Sequence, residues 1–329
     1  MKMENGYLII SLDFELLWGV IELPNAKAYA QSNVINVPEV CDRMLQLFEK
    51  YHVRATFSTV GLLMCKDKEE VENYIPSKTP SYSKEELSPY GDYLKGINTE
   101  DNYLYFAPEL VEKLKASKWV EIGTHTFCHF YCWEQGQTVD QFEEDIKAAR
   151  RVAEDKGIVL KSIVFPRNNV SNEYLSICRQ QGLLSYRGNP QKFFNKTKNK
   201  IGRYKNRLSR LIDSYIAISG HNTYNMDEAI VSDELPINIP ASRFFRPYSN
   251  RMAVIEPLRI NRIKQEIKYA AKHGEMYHLW WHPHNFGADI DKNMKNLESV
   301  LKYYVECNKK YGMKSYTMND FANLIISKR

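Results

Sequence analysis

Two histidines four residues apart, His125 and His129, share the window GTHTFCHFYCW (residues 123–133) with Cys128 and Cys132. On a helical turn, residues i and i+4 lie on one face, so both imidazoles can aim nitrogen lone pairs at a single cation. Two hydrogen-bonded structural histidines would show the same spacing, and the pair alone does not decide. The cysteines have neither CxxC redox spacing nor the second CxxC of a closed zinc site, and they read as packing. Upstream, alternation along YLIISLDFE puts Asp13 and Glu15 on one side of a strand with Phe14 turned away. An isolated acidic pair of this kind otherwise serves as a cap or a surface turn. One carboxylate with two imidazoles leaves open positions for water and substrate, which suits a catalytic metal rather than a structural one.

A second group of histidines lies in EMYHLWWHPHNFG: His278, His282 and His284. His282, where the extended run ends beside tryptophans, suits a general acid, because the ordinary pKa of imidazole is near working pH. His278 and His284 read as hydrogen-bonded supports. Arg167 in FPRNN is a candidate to pair with Asp13 and hold it ionised, the alternative being a surface ion pair of little weight. Trp18, Trp281, His284 and Asn285 are the candidate substrate contacts.

These residues need a scaffold that gathers strand ends. YLIISLD is a near-continuous apolar run, as expected for a strand covered on both faces, and VRATFSTV repeats it after the helical pattern of VPEVCDRMLQLFEKY. Helix and strand then alternate through PELVEKLKAS, WVEIGTH, TVDQFEEDIKAARRVAEDKG, LKSIVFP, SNEYLSICRQQG and LLSYRG. They alternate again from NRIKQEIKYAAKHG through EMYHLWWH to the C-terminal helix TMNDFANLIISK. Serial strand–helix units predict an α/β fold with a parallel sheet, most economically a β/α barrel whose active site forms where the strands end. Residues 66–105 and 190–250 break the rhythm and read as insertions, and residues 1–329 as one catalytic domain.

A chain of 329 residues with 43% hydrophobic and 26% charged residues has the composition of an ordinary folded protein. A net charge of +5 is too small at this length to indicate nucleic acid binding. The opening MKMENGYLIISLDF has no cleavage pattern behind its apolar run, and no span approaches about 18 apolar residues, so a cytoplasmic protein is expected. The six cysteines lack framework spacing and are expected to be free and buried.

The order of SLDFE (11–15), RATFSTVG (54–61), THTFCH (124–129), FPRN (165–168) and HLWWHPHNF (278–286) resembles the NodB-like polysaccharide deacetylases of carbohydrate esterase family four. The resemblance spans nearly the whole chain. It implies a distorted β/α barrel of about seven strands and a divalent metal, zinc above others. In that reading Asp13 is the catalytic base, His125 and His129 are metal ligands, Arg167 orients the base and His282 is the general acid. Glu15 stands where many members carry an aspartate ligand, lengthening the reach by about 1.5 Å. The aspartate that tunes the acid histidine has no clear counterpart, Asp213 being the candidate. The implied reaction is hydrolysis of an N-acyl group, N-acetyl above others, on an amino sugar of a polysaccharide or its intracellular precursor. The alternatives are a cyclic amide or ureide hydrolase of the same superfamily and a non-catalytic glycan-binding domain. The basic stretch 192–210 reads as a solvated face, or else as a surface for a phosphate-bearing substrate or peripheral membrane contact.

Overall fold

Strand β1 (Tyr7–Phe14) is buried along its whole length, and its two faces meet two different cores. Tyr7 and Ile9 join an interior cluster with Ile237, Ile239, Met276 and Phe321. Leu8, Ile10, Leu12 and Phe14 join the larger cluster beneath the helices. Period-two alternation forces this division, and it carries Ser11 and Asp13 up the interior row behind Tyr7 and Ile9. The axis of the sheet therefore becomes polar toward the C-terminal ends of its strands.

The protein is described here by a computed structural model covering residues 4–190, 213, 215, 220–226, 229 and 231–328. β1 lies between β2 (Ala55–Thr59) and β8 (Met276–Trp281), with Asp13 opposite Ser58 and Ser11 opposite both Thr56 and Trp280. Beyond β2 come β3 (Val120–Thr124), β4 (Ser162–Ile163), β5 (Ser185–Tyr186) and β6 (Ile237–Asn238), and beyond β8 comes β7 (Arg243–Phe244). Every one of these pairings is parallel. β9 (Lys314–Tyr316) adds to the start of β1.

The sheet edges β6 and β7 are consecutive in the chain. Between them, Ile239 N donates to Tyr186 O and Ser242 N to His278 O, each at 2.9 Å. One short segment thus serves both edges, and the sheet curls into a barrel as the alternating pattern predicts. Part of the expected 190–250 insertion is therefore barrel wall. The basic stretch 192–210 lies outside the described residues.

Helices Val37–Tyr51, Pro108–Ala116, Val139–Asp155 and Asn172–Gln180 stand where the sequence places them, Glu256–His273 begins ahead of the NRIKQEIKYAAKHG pattern, and Ile290–Tyr311 follows β8. Thr138 and Gln141 form a capping box at the start of Val139–Asp155, satisfying donors that the first turn leaves unpaired. Helix Met318–Ser327 packs Phe321, Ala322 and Ile325 against Tyr7 and Ile9, closing the N-terminal end of the barrel. The 66–105 insertion is short helical turns, and Leu94, Ile97, Leu104 and Phe106 belong to the main core. All six cysteines are free and buried, as expected. No helix among the described residues is long and apolar enough to cross a membrane.

Candidate active site

The strand ends gather the acidic and imidazole groups into one cluster. Asp13 and Glu15 point the same way from β1, after which the backbone turns sharply at Leu16 (φ 46°). His125 and His129 do not sit on a helical turn as the spacing suggests. They lie on a loop in which Thr126 and His129 take left-handed backbone (φ 66° and 60°), and this brings the two rings to 5.0 Å between centroids. Asp145, buried on helix Val139–Asp155, holds the loop by accepting from Phe127 N at 2.7 Å and Cys128 N at 3.1 Å. Burial pushes its carboxyl up to about 6 despite those donors.

Glu15 is the hub. Its Oε2 lies 3.2 Å from His125 Nε2 and 3.1 Å from His129 Nε2, and its Oε1 lies 3.5 Å from His282 Nε2 and 3.9 Å from His284 Nε2. Burial alone would push the Glu15 carboxyl up, but the surrounding imidazoles hold it well below its ordinary value. His129 is shifted down, chiefly by burial. Burial, with help from His282, brings His284 down to about 3, so His284 stays neutral.

The donor chemistry fits a cation. Because a carbonyl can only accept, the 2.8 Å contact between His125 Nδ1 and Val164 O puts a proton on Nδ1, so that in the neutral ring it is the Nε2 lone pair that faces Glu15. A lone pair facing a carboxylate oxygen is repulsive without a positive charge between them. The ligand atoms of Glu15, His125 and His129 all lie within 4.8 Å of one another. Ligands at zinc-like bond lengths around a tetrahedral ion are themselves about 3.3 Å apart. Gly19 makes the longer acid possible, since a Cβ there would stand 2.0 Å from Glu15 Oε1.

Asp13 meets a different arginine from the one the sequence pattern suggests. Arg187, at the end of β5, reaches across the interior and grips both carboxylate oxygens, Nη1 to Oδ1 at 2.6 Å and Nη2 to Oδ2 at 2.7 Å. Its Nε and Nη2 also donate to Asn168 Oδ1, and its guanidinium lies 4.1 Å from the Trp280 ring centroid. Beneath it, His278 Nδ1 donates to Ile239 O, Ser11 Oγ donates to His278 Nε2 at 2.8 Å, and Arg187 Nη1 donates to Ser11 Oγ at 3.1 Å. His278 is a support, as expected. Burial and then Arg187 bring it down to about 3 and keep it neutral. Burial opposes ionisation of Asp13, but Arg187 outweighs it and holds the carboxyl below its ordinary value.

Arg167 instead turns outward from a left-handed backbone (φ 54°) to Glu22 and Glu134. Asn168, next in FPRNN, supplies that motif's contact with the Arg187–Asp13 pair. Asp213 is not the residue beside His282, because it pairs with the buried Arg243. Asn285 takes that place, accepting from His282 Nδ1 at 3.0 Å while its own amide donates to Tyr29 OH. Two proposed substrate contacts are core residues. Trp18 is 1% exposed with its indole N–H on Tyr105 O, and Trp281 is 0% exposed between Phe245 and Phe286. Strand alternation turns Trp281 outward under the helices and leaves the half-buried Trp280 at the site, 5.7 Å from His282 between ring centroids. His284 is buried beside the hub, and Asn285 is half-buried.

Fold and site together define a class: a parallel β/α barrel with a carboxylate–histidine–histidine cluster able to hold a cation and an arginine-held aspartate at its C-terminal face. Residues 31–186, just under half of the chain, match the sequence profile described as polysaccharide deacetylase. The matched span includes His125 and His129 but ends before His282 and begins after Asp13 and Glu15.

Among solved structures, a protein described as a polysaccharide deacetylase from Mycobacterium smegmatis superposes with a TM-score of 0.61 at 12% identity, covering 99% of this chain and 92% of that one. A polysaccharide deacetylase structure from Pseudomonas aeruginosa PAO1 gives 0.55 at 13% identity, with 96% and 89% covered. PuuE allantoinase gives 0.56 at 11% identity, again with 96% and 89% covered. At such identities the likeness is one of fold. No curated protein sequence matches the chain.

Proposed function

We propose that this protein is a metal-dependent hydrolase that removes an N-acyl group, most simply N-acetyl, from an amino sugar of a polysaccharide or its precursor. The observation that carries the reading is the convergence of Asp13, Glu15, His125, His129 and His282 around one point at the barrel mouth. Glu15, His125 and His129 would hold a divalent cation, zinc suiting two nitrogens and one oxygen with a position left open. When bound, such an ion polarises the amide carbonyl and lowers the pKa of water.

The chain's own groups supply the rest. Asp13, locked in orientation by Arg187, takes the proton from the attacking water. His282 Nε2, aimed between Asp13 (3.6 Å) and Glu15 (3.5 Å), gives a proton to the departing amine nitrogen as the carbon–nitrogen bond breaks. Asn285 fixes the ring of His282 by accepting from Nδ1. Trp280 forms an apolar wall against which the Arg187 guanidinium is stacked. A carboxylic acid and a free amino sugar leave.

The test pairs Asp13→Asn with His125→Ala. The first variant should lose turnover of N-acetylated oligosaccharides yet keep its metal, and the second should lose the ion. Wild-type turnover by both variants would refute the assignment. A panel of cyclic ureides and glycan amides run with the wild-type protein decides the bond attacked.

A further inference from the structure

Arg167 and Asn168 occupy consecutive left-handed positions, φ 54° and 53°, although neither is glycine. Such backbone is unfavourable for residues other than glycine and persists where its surroundings impose it. Its effect is to send two neighbouring side chains to opposite halves of the site. Asn168 Oδ1 accepts from Arg187 Nε and Nη2 at 3.2 and 3.0 Å and so buttresses the grip on Asp13. Arg167 goes to the rim, where Nη1 donates to Glu134 Oε1 at 2.5 Å and Nη2 to both oxygens of Glu22.

Those partners sit on the loops that carry the proposed metal ligands. Glu22 is seven residues beyond Glu15, and Glu134 is five beyond His129. The Arg167 guanidinium also lies 3.9 Å from the centroid of Tyr131, a side chain only 1% exposed, whose ring meets His129 edge-on at 5.1 Å between centroids. Among the described residues His129 Nδ1 has no hydrogen-bond partner, so beyond the Nε2 contact with Glu15 it is ring packing against Tyr131 that orients this imidazole. The guanidinium that resembles a base-orienting group thus ties two other rim loops to its own and stacks on one ring.

We infer that the Arg167–Asn168 turn is a positioning element that sets the metal-ligand half of the site against the base half, with Arg167 as a rim clamp acting on His129 through Tyr131. This rests on the reading that Glu15, His125 and His129 hold a cation. Groups that orient a metal ligand without touching the metal typically change affinity 10–100-fold when removed.

The experiment uses Co(II) as the probe, with affinity read by chelator competition and geometry by the visible absorption of the bound ion. Arg167→Gln should bind Co(II) about tenfold more weakly with an altered spectrum. Arg167→Lys should recover part of the affinity, and the Glu22→Gln/Glu134→Gln pair should reproduce the loss. Asn168→Ala should leave Co(II) affinity and spectrum unchanged while lowering kcat at constant KM. Thermal melts establish that each variant is folded. An Arg167→Gln protein with wild-type affinity and a superimposable spectrum overturns the clamp. If the wild-type protein itself takes up no Co(II), both the clamp and the metal reading fall.

Discussion

The two arginines of the site, Arg187 in the barrel interior and Arg167 on its rim, show how the same pairing carries different weight in different surroundings. The Arg187 and Asp13 side chains are 0% and 4% exposed and meet through two hydrogen bonds. Removing one partner there leaves a buried charge with nothing to balance it. Arg167 and Glu22 are 32% and 38% exposed, and water can replace either partner. The interior pair is therefore tied to the stability of the fold, whereas the rim group can act through geometry at little cost to it.

The contrast breaks first at the interior. Arg187→Met should destabilise the protein by about 3–5 kcal/mol in chemical denaturation, and adding Asp13→Asn should restore part of that loss. A cost below about 1 kcal/mol would put Arg187 on the same footing as a surface residue.

Next comes Asp145, buried without a cation and with its folded pKa raised to about 6. A raised carboxyl pKa means the folded state holds the proton more tightly. The associated stability is present below the ordinary range near 4 and is lost as pH rises through about 6. Relative to Asp145→Asn, the wild type should lose on the order of 2–3 kcal/mol across that window. Parallel stability curves for the two proteins between pH 4 and 6 would show that the loop donors hold the carboxylate unshifted.

A smaller effect is expected at Gly19, where a methyl group would meet the Glu15 carboxylate. Gly19→Ala should weaken metal affinity 10–100-fold by displacing a ligand, with Glu15→Asp in the same background relieving the collision. Equal metal affinity in Gly19→Ala and wild type would place Glu15 outside the ligand set. Smallest of all, Arg167→Gln should change folding stability by less than about 1 kcal/mol, which separates its effect on metal binding from general unfolding.

Much of this site could be read along the chain. Alternation picks out Asp13 and Glu15, because a period-two strand fixes which residues share a side wherever it folds; strand ends pick out His125 and His282, and the four-residue spacing picks out His129 although the helical turn it implies is absent. Arg187 carries the same strand-end signal, a charged residue closing the short strand LLSYRG, while the FPRN motif offers a competing arginine. Trp281 and Trp280 differ by one position, so the register of β8 alone decides which one faces the site. Asn285 reads in sequence as a substrate contact, since its role depends on the turn after Pro283 that brings its amide back to His282.

Local chemistry, then, was enough to establish a parallel α/β chain with a carboxylate and two imidazoles able to hold a cation. Both follow from side-chain type and from periodicities that the backbone imposes within a few residues. The tertiary structure alone decided which arginine grips Asp13, because β5 lies across the barrel from β1 and 174 residues separate the partners. It also decided that four imidazoles surround Glu15 and that Gly19 leaves room for it. Proximity of this kind comes from the curl of the sheet, and no spacing along the chain encodes it.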